Sequence, residues 1–383
     1  MQAVKLVFTN RGYFAPAFLF ATLNIIIGTW AIYIPFISDG LGLTEGELGL
    51  ALFFIALGTL VALPFLPFLA RKLGIGKLSF LAVILMCISI IGPFLAENYV
   101  AFCASLFVFG LFNGLLDAGM NTLVNEIEKQ QNAHFMSISH GFFSLGGMVS
   151  AGVGTFLIAV FDSPVLHIAT VAILMIFLNL AFAKNYTGVK AAVHEESSGF
   201  KLRNLKPLFA LCVIAFLIFA AEGAIVDWSA LYMEKVTLSD VSLFGMGYTA
   251  FNGMMALGRF FGDGISERFG SRAILVAGSI LGALGFALVL TGSTWIAIAG
   301  FAIVGVGLSV IVPELLRYAG QLPNVPSAEG VSFVSGIGFS GMLLGPVLLG
   351  FLAGAFTLKS SFVALLCATL LATLISLSLK RKK

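Results

Sequence analysis

Residues 207–233 read PLFALCVIAFLIFAAEGAIVDWSALYM, and the reading of this stretch decides the fold. From Pro207 to Ala221 it carries no charge, then Glu222 and Asp227 appear before Glu234 closes the run. Roughly 20 apolar residues cross the ~30 Å hydrocarbon core of a bilayer as a helix, so this segment is long enough to span. It is also the wrong composition for an inert span, because it holds two carboxylates.

Working outward, comparable apolar runs recur along all 383 residues, of which 59% are hydrophobic and only 10% charged. The mean hydropathy is +1.06. A soluble chain of this length needs more surface charge than that. The chain therefore reads as an all-α polytopic membrane protein, with twelve spans at roughly 13–37, 47–70, 77–96, 99–124, 136–160, 163–183, 207–233, 242–265, 272–291, 294–316, 329–354 and 358–379. With the N-terminus in the cytoplasm, one side collects Lys5, Arg11, Arg71, Lys72, Lys77, Lys129, the basic residues of 184–206, Arg268, Arg272, Arg317 and the terminal KRKK. The other side keeps Lys235 and Lys359. The excess of Lys and Arg places both termini in the cytoplasm. The first apolar run is too long for a cleaved leader. Cys87, Cys103, Cys212 and Cys367 all fall inside spans without a CxxC, as small apolar packing residues and not metal ligands.

The longest polar connection, KNYTGVKAAVHEESSGFKLRNLK at 184–206, separates six spans from six. It predicts an N-terminal bundle (1–183), a cytoplasmic linker (184–206) and a C-terminal bundle (207–383). The halves echo each other. Asn24, Thr29 and Trp30 have the spacing of Glu222, Asp227 and Trp228, and Arg71-Lys72-Leu73-Gly74 matches Glu267-Arg268-Phe269-Gly270. SLGGMVSAG (144–152) parallels FSGMLLGPV (339–347). Both halves start on the same side, so the repeat is parallel.

On these residues the chain resembles the major facilitator superfamily over nearly its whole length. GDGISERFGSR (262–272) looks like that superfamily's loop motif between the second and third helices of a half. PFLARKLGIGK (67–77) departs from it, with Arg71 where the acid is expected, and the fourth span lacks the arginine of many proton-coupled antiporters. LLDAGMN (115–121), MSISHGFFSLGG (136–147) and EGAIVDWSALYM together resemble the bacterial branch related to fucose permease, including the YbjJ-type inner-membrane proteins. The resemblance implies two six-helix bundles around a midplane cavity, alternating access and a sugar or sugar-like solute. In fucose-permease-like transporters an acid of the first helix contributes to proton coupling; Asn24 stands at the candidate position here.

An ionisable side chain inside a membrane costs ~2.5–3.5 kcal/mol at a helix centre on insertion scales, and it marks function by default. Glu222 lies ~22 Å beyond Pro207 by helical rise, and a carboxyl that alternates between wet and dry surroundings can take up and release a proton. The competing role is a hydrogen-bonded staple to a neighbouring helix. Gly223 after it would let the helix open toward a ligand. Asp227, ~7 Å further along, is a second proton-coupling candidate. Asp117, with Asn113 and Asn121 at i−4 and i+4, forms one polar face on the fourth span, and His140 lies at similar depth. An Asp117–His140 pair would serve an inner gate or proton exit, or lock the turn between two helices.

Asn24, Asn113, Asn121, Trp30, Trp228, Tyr248 and Asn252 are the substrate-binding candidates, by amide hydrogen bonding or ring stacking. Asn24 is equally suited to helix packing, the tryptophans to anchoring, and Tyr33 and Tyr232 read as interface anchors. Arg259 and Asp263 at i,i+4, with Glu267 and Arg268, read as a latch and not as a substrate contact; Glu314 and Arg317 read as more of the same. Gly146, Gly147, Gly152, Gly154, Gly338, Gly341 and Gly345 are spaced for close helix packing.

No P-loop, HExxH or nucleophile elbow occurs, so the chain reads as no enzyme and needs no cofactor or metal. Its partners are a small-molecule substrate, protons whose gradient supplies the driving force, and the lipid bilayer, with no nucleic acid and a monomeric state. Symport with a proton is the leading reading. A proton-antiport exporter of drugs or metabolites and a ligand-binding sensor without flux are the rivals.

Overall fold

A chain this apolar must satisfy each backbone N–H and C=O within its own segment, and the α-helix does so. The computed structural model describes residues 2–190, 205–322, 325 and 327–379; the side chains of 2–5, 205–207, 262–268 and 327–329 lie outside that description. Ten helical segments among the described residues are long and apolar enough to cross a membrane. Two more, the fifth span Met136–Leu157 and the eighth span Met246–Phe269, complete the twelve. The fifth is richer in Ser and Gly than its neighbours, which dilutes its apolar signal.

The first span is Arg11–Ala31, shorter than the apolar run suggests. A turn at Ile32–Tyr33 separates it from the short helix Ile34–Gly40. The second span, Glu45–Leu73, opens on a capping box: the Thr44 N–H and hydroxyl donate to the Glu47 carboxylate at 2.9 and 2.8 Å. Pro64 lies in its 3₁₀ turn at Leu63–Phe65, and Pro67 sits at the start of the α-helical segment that follows. The third span is Ile75–Leu95. The fourth, Tyr99–Gln131, is capped by Asn98, which accepts from the Ala101 N–H at 2.9 Å, and it ends at Asn132 in the left-handed region. The sixth is Pro164–Asn185 and the seventh Leu205–Lys235. The ninth is Ser271–Val289, the tenth Thr294–Gly320 with a break at Ser309–Val310, the eleventh Ser327–Ala355 and the twelfth Leu358–Ser378.

The chain divides into two compact units, residues 1–43 with 50–195 and residues 44–49 with 196–383. The change of unit at 195/196 falls within the linker expected at 184–206, of which 191–204 lie outside the described residues. Its leading part is packed: the Gly76 N–H donates to the Val189 carbonyl at 3.0 Å, and Tyr186 is 1% exposed. On the loop between the seventh and eighth spans, Asp240 accepts from the Ser242 N–H and hydroxyl at 2.9 and 2.8 Å, which holds its carboxyl below the usual carboxylate range.

The repeat is visible in how helices meet. In the first unit the first and fifth spans form the most extensive pairing, and in the second unit the seventh and eleventh do. Both are backbone-to-backbone contacts. A Cβ at Gly146 would fall 2.4 Å from the Ala21 carbonyl oxygen, and one at Gly345 would fall 2.7 Å from Ala220. The loop glycines match too, Gly74 with φ +84° and Gly270 with φ +74°, a conformation that favours glycine. In the first unit the Phe143 carbonyl of the fifth span accepts from Asn24, and in the second the Met342 carbonyl of the eleventh faces Gly223. Cys87, Cys103 and Cys212 are buried and Cys367 is exposed, all as free thiols.

Candidate functional site

In the seventh span, Gly223 faces the eleventh: a Cβ there would sit 2.7 Å from the Met342 carbonyl. One residue back is ~100° around the helix, so Glu222 points elsewhere, toward the eighth span. There its Oε2 lies 4.0 Å from an Arg259 guanidinium nitrogen. The Glu222 side chain is 12% exposed and that of Arg259 16%, so the pair is largely enclosed yet not sealed. Glu222 Oε1 is buried without a hydrogen-bond partner. Tyr248 also interacts with Arg259 electrostatically. Two opposite charges at ~4 Å attract by about 4 kcal/mol at an effective dielectric near 20, which offsets part of the cost of holding either in an apolar bundle. The distance exceeds the ~2.7–2.9 Å of a closed charge-assisted hydrogen bond. The pair is therefore loosely held, and its carboxylate has capacity for a further donor.

Asp227 does not join this pair. Five residues on from Glu222 it is ~140° around the helix, and its side chain is half-buried. Arg259, expected to pair with Asp263, is placed against Glu222; the side chains of Asp263, Glu267 and Arg268 lie outside the described residues. Glu314, fully buried on the tenth span, lies 2.9 Å from Arg317, although neither carboxylate oxygen makes a well-angled hydrogen bond.

The first unit holds a second polar strip. Asn121 on the fourth span donates to the Asp117 carbonyl at 2.8 Å and lies 3.4 Å from its carboxylate. Asn113, two turns back, has a buried Oδ1 without a partner. All three are half-buried. His140 on the fifth span sets its ring edge-on to Phe20 at 5.1 Å.

Five of the substrate-binding candidates are packed. Asn24 is 0% exposed and donates to the Phe143 carbonyl at 2.9 Å, joining the first and fifth spans. Trp228 is 0% exposed, with its indole N–H on the Pro346 carbonyl at 3.1 Å, joining the seventh and eleventh. Trp30 packs against Phe94 and Phe102. Tyr248 and Asn252 are buried, Asn252 donating to the Tyr248 carbonyl at 3.1 Å. The tyrosines are not interface anchors. Tyr33 is buried and bonded to His167 Nδ1 at 2.9 Å, and Tyr232 is buried and donates to the Val289 carbonyl at 2.9 Å. A rule for terminal rings misreads them because both spans continue as helix or turn past these residues.

Three polar positions escape the sequence reading. His167 is buried in the sixth span, stacked on Phe161 at 4.6 Å; a lone histidine in VLHIATV was signal enough. Asn179 donates to the Thr22 hydroxyl at 2.9 Å. Glu128 accepts from the Phe135 and Met136 N–H groups at 2.5 and 2.8 Å and so caps the fifth span, a long-range cap that local spacing does not reveal.

Twelve long helices among the described residues, with charges kept inside them, define a polytopic membrane protein. The family model of the Major Facilitator Superfamily matches residues 14–323 and 237–383, and the chain belongs to that superfamily. It is 33% identical over 368 residues to an uncharacterized MFS-type transporter of Yersinia pestis, covering 93% of each chain. It is 23% identical over 362 residues, 88% of each chain, to the quinolone resistance protein NorA of Staphylococcus aureus. Among solved structures, the nucleoside transporter NupG matches with a TM-score of 0.75 at 13% identity, covering 97% of this chain and 100% of that one. At that identity the likeness speaks for the fold alone.

Proposed function

We propose that this multi-pass transporter moves a small polar solute across the bacterial inner membrane by alternating access, in symport with a proton carried by Glu222. One observation carries the reading: an enclosed carboxylate with an unpartnered oxygen, set 4.0 Å from Arg259 without closing on it. A structural staple would spend both oxygens on bonds; a proton carrier keeps one for the proton. The half-buried strip of Asn113, Asp117 and Asn121 supports a hydroxylated solute, as does the resemblance to fucose-permease-like transporters. The charge distribution supports cytoplasmic termini. The relation to NorA favours a second reading, proton-antiport export.

Adding a sugar, nucleoside or quinolone to de-energised cells separates the two, because symport alkalinises the medium and antiport acidifies it. In proteoliposomes with an inward proton gradient, Glu222→Gln abolishes accumulation of the responding solute and leaves exchange intact. A glutamine variant that concentrates solute at the normal rate removes the proton role from Glu222.

A further inference from the structure

We propose that Asp117 on the fourth span is the receptor for a protonated amine on the solute, which it holds together with the amide oxygen of Asn113. This rests on the solute site placed above at Asn113, Asp117 and Asn121, and it names the solute class which that reading leaves open: a hydroxylated amine such as an amino sugar. Among the described residues the Asp117 carboxylate has one hydrogen-bond contact, the Asn121 amide at 3.4 Å, and no ion pair. Asn121 spends its N–H groups there and on the Asp117 carbonyl at 2.8 Å. Asn113 Oδ1, one turn before Asp117, is buried and accepts no hydrogen bond. The strip therefore offers acceptors and is short of donors.

The described bases of the first unit stand elsewhere. Gly119, two residues past Asp117, points ~160° away from it and sets the third span on that far side, where a Cβ would sit 3.1 Å from Ser79 Oγ. Lys77 is exposed on that third span. Gly114, ~60° from Asp117, lies on the second span, its Cβ position 2.8 Å from the Thr59 Cα. Arg71 and Lys72 come ~18 Å beyond Thr59 along that helix, and Lys129 comes ~18 Å past Asp117 on its own, where it faces Glu126 at 3.9 Å. Arg11 opens the first span and Lys184 ends the sixth. On the fifth, His140 sets its ring on Phe20. An ammonium supplies three donors and no acceptor, and side chains four residues apart on a helix are ~5–6 Å apart at Cβ, so one such group closes on the carboxylate and the amide oxygen together. The Asn amide torsion is soft, so its oxygen turns to meet a donor arriving at Asp117. A proton on Asp117 would serve the carboxyl alone, and a hydroxyl brings acceptors along with its one donor. All three residues are half-buried, so the strip is reachable.

The test is equilibrium titration of the purified full-length protein at pH 6.5 with glucose, glucosamine and N-acetylglucosamine, no gradient being imposed. Glucosamine, with its amine protonated, binds about tenfold or more tightly than either of the others, because a hydrogen bond to a charged group is the stronger kind. Asp117→Asn brings glucosamine down to the level of glucose, and Asp117→Glu restores part of the difference. Asn113→Leu, which keeps the volume and removes the amide oxygen, lowers the preference for glucosamine over glucose about fivefold. A merely structural strip would shift the three sugars alike. Equal binding of glucosamine and glucose, no binding of glucosamine, or an amine preference that survives Asp117→Asn overturns the proposal. If Asp117→Asn does not fold, Asn113→Leu decides, since an unchanged preference there is equally fatal. Glucose bound as tightly as glucosamine sinks this proposal and spares the hydroxylated-solute reading of the strip. Proton coupling is judged separately by accumulation: a wild type that prefers glucosamine beside a Glu222→Gln variant that still accumulates solute would sink the role of Glu222 and spare this one.

Discussion

Glu222 owes its position to small neighbours. Ala220 and Gly223 let the seventh span pack closely on the eleventh, which turns Glu222, lying between them, toward Arg259. Its presence was legible in the sequence, because a carboxylate after fifteen uncharged residues breaks an apolar run. Its partner was not. Arg259 has an acid four residues on, and local spacing favours that pair over one reached across two helices. Trp228 shows the same limit. Its indole N–H bonds the Pro346 carbonyl at 3.1 Å within a fully buried contact, so it fastens the seventh span to the eleventh. Trp228→Phe keeps most of the apolar contact and leaves that carbonyl without this donor, at a cost of about 1 kcal/mol. A melting curve of the purified variant should show the loss, and solute affinity should be unchanged; weakened affinity with unchanged melting would return Trp228 to the binding residues.

At the scale of elements, glycine sets how near two helices come. The Gly146 Cβ position is 2.4 Å from the Ala21 carbonyl oxygen, so Gly146→Ala forces the first and fifth spans apart. Overpacking of this kind costs about 1–3 kcal/mol. Gly336→Ala on the eleventh span meets nothing within 4 Å and serves as the control. A thermal melt should drop for the first variant and hold or rise for the second. Equal melting of the two would mean that the close approach is not what holds the spans together. The small-residue pattern made this packing legible in SLGGMVSAG and FSGMLLGPV. Repeat spacing alone could not give its register, because a one-residue shift preserves the motif while moving a side chain ~100° around a helix.

For the whole molecule, hydropathy and span count sufficed for the architecture, since a bilayer leaves a polytopic chain few alternatives to packed helices. The candidate site was less legible, because membrane depth and burial are set by tertiary packing: amides and indoles with the right chemistry became fasteners between helices. Topology has its own test. In a cysteine-free background, Lys72→Cys should react with an impermeant thiol reagent only in inside-out vesicles, and Lys235→Cys only from outside intact spheroplasts. Both reacting from the same side would invalidate the assigned orientation.

The central claim is that Glu222 gains and loses a proton during the working cycle. Infrared difference spectra of the purified protein between acid and neutral pH report this directly, with no solute present. The account predicts a carboxylic C=O band in the wild type that is missing in Glu222→Gln. Identical spectra for the two proteins would mean that Glu222 never changes protonation, and the coupling mechanism built on it would be contradicted.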